Sequence, residues 1–210
     1  MQKTKVCILD YGSGNVGSVH NLLSRLDYDV KISNESLDIK NSSHLILPGV
    51  GAFGSSIAKI KKKIPVDLLN DEVQIKKKPF LGICIGMQVL ADKGSEFGEH
   101  NGLGWIHGTV ERINNKILPH VGWNNVDIKK KSPIFSNLKN LEDFYFVNSY
   151  AFKVKDEKFV ISETMYGETF CSAVQKENIF GVQFHPEKSQ RNGLKLLRNF
   201  VNFSKEVELS

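Results

Sequence analysis

Short, unbroken apolar runs alternate with helix-spaced apolar stripes through the first half of the chain. Val6, Cys7, Ile8 and Leu9 are consecutive within Lys5–Asp10, as expected of a parallel strand covered on both faces. Val19, Leu22, Leu23 and Leu26 then recur at three-to-four spacing, the stripe of an amphipathic helix. Further strands are predicted over Tyr28–Ile32, over His44–Leu47 and over Phe80–Ile83. A helical region interrupted by Pro65 precedes the last of these, and another helix is predicted from Met87 to Asp92. Strand and helix alternating at this pace predict an α/β fold: a parallel sheet with helices on both faces.

The second half changes period. Trp105–Ile113, Phe144–Val147, Phe159–Thr164, Phe170–Val174 and Ile179–Phe184 read as closely spaced strands, which predicts an added, largely antiparallel portion. A closing helix is predicted over Gln190–Phe203, with Leu194, Leu197, Phe200 and Val201 on one side. No linker, repeat or low-complexity segment interrupts the pattern, so residues 1–210 are read as one domain.

Composition narrows the class. With 40% hydrophobic and 24% charged residues, the chain is neither disordered, collagenous nor a coiled coil. No apolar run approaches the roughly 18 residues of a membrane span, and Met1–Lys5 leads into the first strand without a signal-like apolar core. A cytoplasmic protein is expected, with Cys7, Cys84 and Cys171 as free thiols. The net charge of +5 is carried partly by the runs Lys61–Lys63, Lys76–Lys78 and Lys129–Lys131. None has an aromatic companion, so the runs read as solvated surface and no nucleic-acid groove is expected.

Candidate chemistry begins at Gly82-Ile83-Cys84-Ile85-Gly86-Met87-Gln88, between a predicted strand and a predicted helix. This is the spacing of a strand-to-helix nucleophile elbow, with Cys in the place of Ser. The tight bend leaves no room for side chains two before and two after the nucleophile, and both positions are glycine. A helix N-terminus favours thiolate over thiol, and the N–H of Ile85 is predicted to face a developing oxyanion. A lone cysteine ending a core strand is ordinarily an inert buried thiol. The paired glycines turn the reading toward a nucleophile.

A thiolate needs a proton-handling partner. Phe184-His185-Pro186-Glu187 follows the apolar run Ile179–Val182. In an extended segment positions i and i+2 share a face. Glu187 can therefore hold one imidazole nitrogen of His185 while the other faces the cysteine. The six histidines, His20, His44, His100, His107, His120 and His185, show no ligand spacing, so no metal is expected, and no other cofactor is called for. Gly49 and Gly51 flank Val50 after a strand and could present a backbone N–H to a substrate oxygen. Alone, that segment reads equally well as an ordinary turn.

Together these elements resemble the class I (triad-type) glutamine amidotransferases along nearly the whole chain. The resemblance is carried by Asp10-Tyr11-Gly12-Ser13-Gly14-Asn15, by Leu47-Pro48-Gly49-Val50-Gly51-Ala52-Phe53 and by the elbow through Gln88. Pro119-His120-Val121-Gly122-Trp123-Asn124, Phe144–Tyr150 and Gly181–Gln190 complete it. The Pro-His-Val-Gly-Trp-Asn and Glu-Lys-Ser-Gln segments are most similar to the glutaminase subunits of imidazole glycerol phosphate synthase.

The resemblance implies a flavodoxin-like central sheet and a Cys84–His185–Glu187 triad that hydrolyses glutamine. It implies an oxyanion site from Ile85 and the Gly49-Val50-Gly51 loop, with Gln88, Glu96 and Gly49 binding substrate. It also implies a HisF-like, barrel-shaped cyclase subunit as heterodimer partner. Asn15, His120, Trp123 and Asn148 would then face that partner. Two features depart from the pattern: Asn148 stands where many relatives carry His, and Trp105 and His107 stand where smaller residues or Pro are usual. A paralogue that feeds ammonia to another acceptor, such as one in surface-sugar synthesis, stays open as an alternative. So does an inactive binding module, against which the intact triad speaks. Cysteine peptidases or chaperones of similar architecture lack the His-Pro-Glu segment.

Overall fold

The computed structural model describes residues 3–204. Its first half runs β1 (Lys5–Leu9), α1 (Val16–Ser24), β2 (Asp29–Ser33), α2 (Ser36–Asn41), β3 (His44–Gly49), α3 (Phe53–Lys63), α4 (Val66–Asn70), β4 (Phe80–Cys84) and α5 (Ile85–Gln88). The short strands β5 (Lys93–Gly94) and β6 (His100–Asn101) follow, then β7 (Gly108–Arg112), β8 (His120–Ile128), β9 (Glu142–Asn148) and β10 (Tyr150–Val154). The chain closes with β11 (Val160–Tyr166), β12 (Glu168–Lys176), β13 (Ile179–Val182) and α6 (Gln190–Val201).

The order β2-β1-β3-β4-β13 is parallel throughout. Beyond β13 the sheet turns antiparallel through β12, β10 and β7, with an arm β12-β11-β8-β9 branching from it. The continuous apolar runs are explained by this order. Val6 to Leu9, Leu45 to Leu47 and Phe80 to Ile83 are in central strands and buried on both faces.

Helices cover the sheet through narrow apolar stripes. α3 buries Phe53, Ile57 and Ile60, and its Lys61–Lys63 run falls in the last turn, where the helix dipole favours cations. α6 buries Leu196, Leu197, Phe200 and Val201, each worth roughly 1.5–3 kcal/mol of transfer free energy. The predicted stripe included Leu194, which is only half-buried, and missed Leu196. Phe200 packs edge-on against both Phe180 and His44.

Other expectations were also revised. The helix predicted over Met87–Asp92 is one turn, ending at Gln88. The carbonyls of Val89, Leu90 and Ala91 accept from Leu103, Ile106 and Gly104, so a neighbouring segment satisfies them in place of a continued helix. A strand was predicted over Trp105–Ile113, but β7 spans only Gly108–Arg112 and Trp105 lies outside it. Its indole N–H donates to Asn70 Oδ1 at 2.8 Å while the ring packs edge-on to Phe80. The strand β8 was not predicted. It carries Asn124 and Asn125, which are depleted in strands, and exposes Val121 and Trp123. Of the lysines expected on solvated surface, Lys78 is largely buried, donating to Glu72 and to the carbonyls of Ile39 and Lys40. No helix among the described residues is long and apolar enough to cross a membrane.

Candidate active site

Register brings the chemistry together. Gly49 of β3 pairs with Cys84 of β4, and Ile83 pairs with Val182 of β13. The carboxyl ends of three neighbouring parallel strands therefore deliver Gly49–Gly51, Cys84 and Gln183–His185 to one crevice, the usual place for ligands in an open α/β sheet.

The bend at Cys84 is strained. Its φ is +55° and its ψ −110°, a combination costly for any residue bearing a Cβ. Flanking glycines make it possible. A Cβ on Gly82 would lie 2.2 Å from Gly86 O, and one on Gly86 would lie 1.8 Å from Leu47 O. The thiol is 4% exposed. It approaches Val147 O at 3.9 Å, and Gln183 Nε2 donates to the sulfur at 3.6 Å.

His185 is 2% exposed. Its Nδ1 lies 2.8 Å from Glu187 Oε1, and the side chain of Glu187 is removed from solvent. Asn15 Nδ2 donates to the same oxygen at 3.3 Å. The backbone of the histidine is fixed too, its N–H donating to Tyr145 O and its carbonyl accepting from Ser189 Oγ. Burial alone would disfavour the imidazolium. The neighbouring Cys84 sulfur and the hydrogen-bonded Glu187 carboxylate outweigh it and raise the pKa. Cys84 and His185, 101 residues apart in sequence, thus line one cavity.

Cys84 and His185 line a cavity of about 260 Å³. Val50, Gly51, Ile85, Gln88, Glu96 and Asn148 share the wall with Cys84 and His185. Glu96 Oε2 accepts from Phe53 N–H at 2.8 Å, capping α3 directly after the glycine loop. Gly49 lies just behind that wall, where a Cβ would collide with Tyr11 Oη at 2.5 Å. Gln88 donates to Tyr150 O and Gln183 Oε1, leaving its own Oε1 buried without a partner among the described residues.

Four residues were expected to face a partner. Trp123 is exposed, beside Val121 at 55%. Asn148 opens into the cavity, and Asn15 turns inward to Glu187. His120 is a correction: it is 3% exposed, stacked on Tyr166 and Phe146. β8 alternates, so when Val121 and Trp123 point out, His120 points in. Burial lowers its pKa to about 4. Sequence reasoning singled out no role for Gln183, although it sits two residues before His185, directly after the strand that delivers it.

Three comparisons bear on this arrangement. The family model described as Glutamine amidotransferase class-I matches residues 7–203. The chain is 44% identical over 209 residues to the imidazole glycerol phosphate synthase subunit HisH 2 of Vibrio vulnificus, covering 98% of this chain and 97% of that protein. It is 42% identical over 198 residues to the HisH subunit of Aquifex aeolicus, covering 93% and 95%. In fold it is similar to PurLQS from Thermotoga maritima, with a TM-score of 0.76 at 16% identity over 96% of this chain and 99% of that one.

Proposed function

We propose that this chain, which belongs to the class-I glutamine amidotransferase family, is the glutaminase subunit of an imidazole glycerol phosphate synthase. In this reading it acts in the cytoplasm as one amidotransferase domain in a heterodimer. Its partner is a barrel-shaped cyclase subunit that consumes the ammonia to make imidazole glycerol phosphate and an aminoimidazole carboxamide ribotide. The observation that carries the reading is that Cys84, at its strained bend, shares one cavity with His185, which is itself hydrogen-bonded to the buried Glu187 carboxylate.

The steps follow from the positions of these groups. The Cys84 thiolate attacks the side-chain amide carbon of glutamine, forming a C–S bond and a tetrahedral oxyanion. Protonated His185 gives its proton to the leaving nitrogen, the C–N bond breaks, and ammonia departs from a glutamyl thioester. Neutral His185 then takes a proton from water, whose oxygen attacks the thioester, and glutamate leaves as the thiolate reforms. Glu187 holds the tautomer and supports the imidazolium.

Ile85 N–H and a donor from Val50 or Gly51 serve the oxyanion. Gln88, Glu96 and the backbone at Gly49 hold the substrate. Loss of one such donor costs about 3 kcal/mol, so a loop turned the wrong way silences the enzyme. Trp123 and Val121 supply partner contact. Asn15 and Asn148 act from within, beside Glu187 and the cavity wall.

The test uses the purified chain with its cyclase partner and the nucleotide acceptor. Glutamine should yield stoichiometric glutamate and imidazole product. Cys84→Ala should abolish glutamine-dependent synthesis and leave synthesis from ammonium salts intact, because the acceptor chemistry belongs to the partner. Loss of both activities in that variant would mean that Cys84 is structural.

A second reading has one observation in its favour. Several relatives carry numbered names, such as HisH 2 of Methanococcus maripaludis, 44% identical over 199 residues. A paralogous subunit would retain the triad and serve another synthase. Co-purification from the native source separates the two, since the captured synthase names the acceptor.

A further inference from the structure

A hydrogen-bond chain of fixed polarity runs from a backbone carbonyl to the catalytic sulfur. Tyr150 O can only accept, and Gln88 Nε2 lies 3.0 Å from it. The amide nitrogen of Gln88 is thereby oriented toward Tyr150, and its second hydrogen points to Gln183 Oε1 at 2.9 Å. With Oε1 of Gln183 turned to Gln88, its Nε2 must face the other way, where it meets Cys84 Sγ at 3.6 Å. The polarity of both amides follows from the anchor at Tyr150.

From this geometry we propose that Gln183 is a positioning residue of the glutaminase reaction, donating a hydrogen bond that favours the Cys84 thiolate and tying that sulfur to the substrate-binding amide of Gln88. The inference rests on the glutaminase reading and extends it to a residue outside the triad.

Three facts support it. Gln183 is 0% exposed, and burying a primary amide is costly unless its hydrogen bonds are made. An apolar side chain would fill this buried place at the end of β13 at no such cost, yet the amide directs a donor to the sulfur and its acceptor to Gln88. Its main chain is held independently, Gln183 N–H donating to Ser172 O at 2.9 Å, so the side chain is not needed to fix this backbone. Finally, Gln88 Oε1 has no partner among the described residues and its residue lines the cavity. That oxygen is the free end of the chain, ready to accept from a substrate N–H. Glutamine bound there would lock the Gln88 amide and, through Gln183, the donor on the sulfur. His185 lines the same cavity as that thiol, so the segment directly after β13 brings both the donor of Gln183 and the imidazole to the nucleophile.

Two near-isosteric variants separate this role from packing. Gln183→Glu keeps an oxygen toward Gln88 and replaces the donor at sulfur by a carboxylate oxygen. Gln183→Met keeps the volume and removes both bonds. Iodoacetamide alkylation of Cys84, followed across pH by mass spectrometry of its peptide, reads thiolate availability without requiring turnover. Both variants should move the alkylation profile upward by about one pH unit. With the cyclase partner present, kcat should fall about tenfold in each. KM for glutamine should rise in Gln183→Met, where Gln88 is released, and less in Gln183→Glu.

Unchanged alkylation profiles in variants with wild-type melting temperatures would overturn the proposal. Should neither variant fold, the wild type still decides: the ¹⁵N side-chain amide resonance of Gln183 must titrate with the alkylation midpoint and go flat in Cys84→Ala. A resonance that does not titrate refutes the contact. A wild-type complex without glutaminase activity would instead sink the functional reading, and the alkylation and resonance results would stand apart from it.

Discussion

His185 and Glu187 form a 2.8 Å hydrogen-bonded pair in which both side chains are withdrawn from solvent. The carboxylate also accepts from Asn15, while its second oxygen is buried without a partner among the described residues. An anion so placed is tolerated because an imidazolium can form against it. Glu187→Gln keeps the shape and removes the charge. The proposed mechanism predicts a loss of ~10⁴-fold in kcat with little change in KM. Steady-state kinetics of the complex decide, and near-normal turnover would remove Glu187 from the triad.

The glycines around the site differ in what they permit. A Cβ on Gly86 would sit 1.8 Å from the backbone of Leu47, whereas one on Gly51 would meet nothing within 4 Å. Gly86→Ala should therefore fail to give folded protein. Gly51 has φ +101°, so Gly51→Ala strains only the loop, by ~1–2 kcal/mol. It should fold, melt within a few degrees of wild type and lose glutaminase activity. Calorimetry beside the activity assay checks both, and a fully active Gly51→Ala would exclude the loop from oxyanion binding.

Glu96 links the cavity to α3 through the Phe53 N–H. Glu96→Ala removes this acceptor directly after the glycine loop and, on the proposed reading, a substrate contact. KM for glutamine should rise at least tenfold, with a stability loss of ~1 kcal/mol from the missing cap. Urea titration and kinetics on one preparation separate the two effects. An unaltered KM would leave Glu96 with a capping role alone.

His120 makes stability pH-dependent. Burial among Tyr166, Phe146 and Phe170 lowers its pKa to about 4, against about 6.5 in an unfolded chain. The unfolded state therefore takes the proton first as pH falls. The stability is complete above about 6.5 and is lost progressively toward 4. The urea midpoint should drop between pH 7 and pH 5, and His120→Phe should flatten that part of the profile. A His120→Phe profile as steep as wild type would assign the acid sensitivity to other groups.

Trp123 and Val121 stand exposed on one face of β8. Trp123→Ala should leave the melting temperature of the isolated chain unchanged and weaken binding of the cyclase subunit at least tenfold, since large aromatics dominate interface energetics. Calorimetric titration measures it, and undiminished affinity would place the interface elsewhere.

The residues that were legible in sequence are those whose demands are local. A bend with φ +55° at Cys84 requires glycine two positions to either side, and such spacing is visible without coordinates. Doubly buried strands need unbroken apolar runs, so β1, β3 and β4 were legible as well. β8 escaped because its solvent face carries Val and Trp while its asparagines disfavour a strand. Its register against β9 supplies the pairing that its composition does not.

Sequence by itself therefore determined the elbow, the histidine–glutamate spacing and the strands β1 to β4, since each depends on neighbours within a few positions, whereas β13, read with the antiparallel portion, lies parallel to β4 because the sheet order places it there. Only the tertiary structure decided that His120 points inward, that Asn15 reaches Glu187 across 172 residues, and that Gln183 donates to a sulfur 99 residues away. Hydrogen bonds and burial depend on what the fold brings alongside, and strand order and register set that after the local choices have been made.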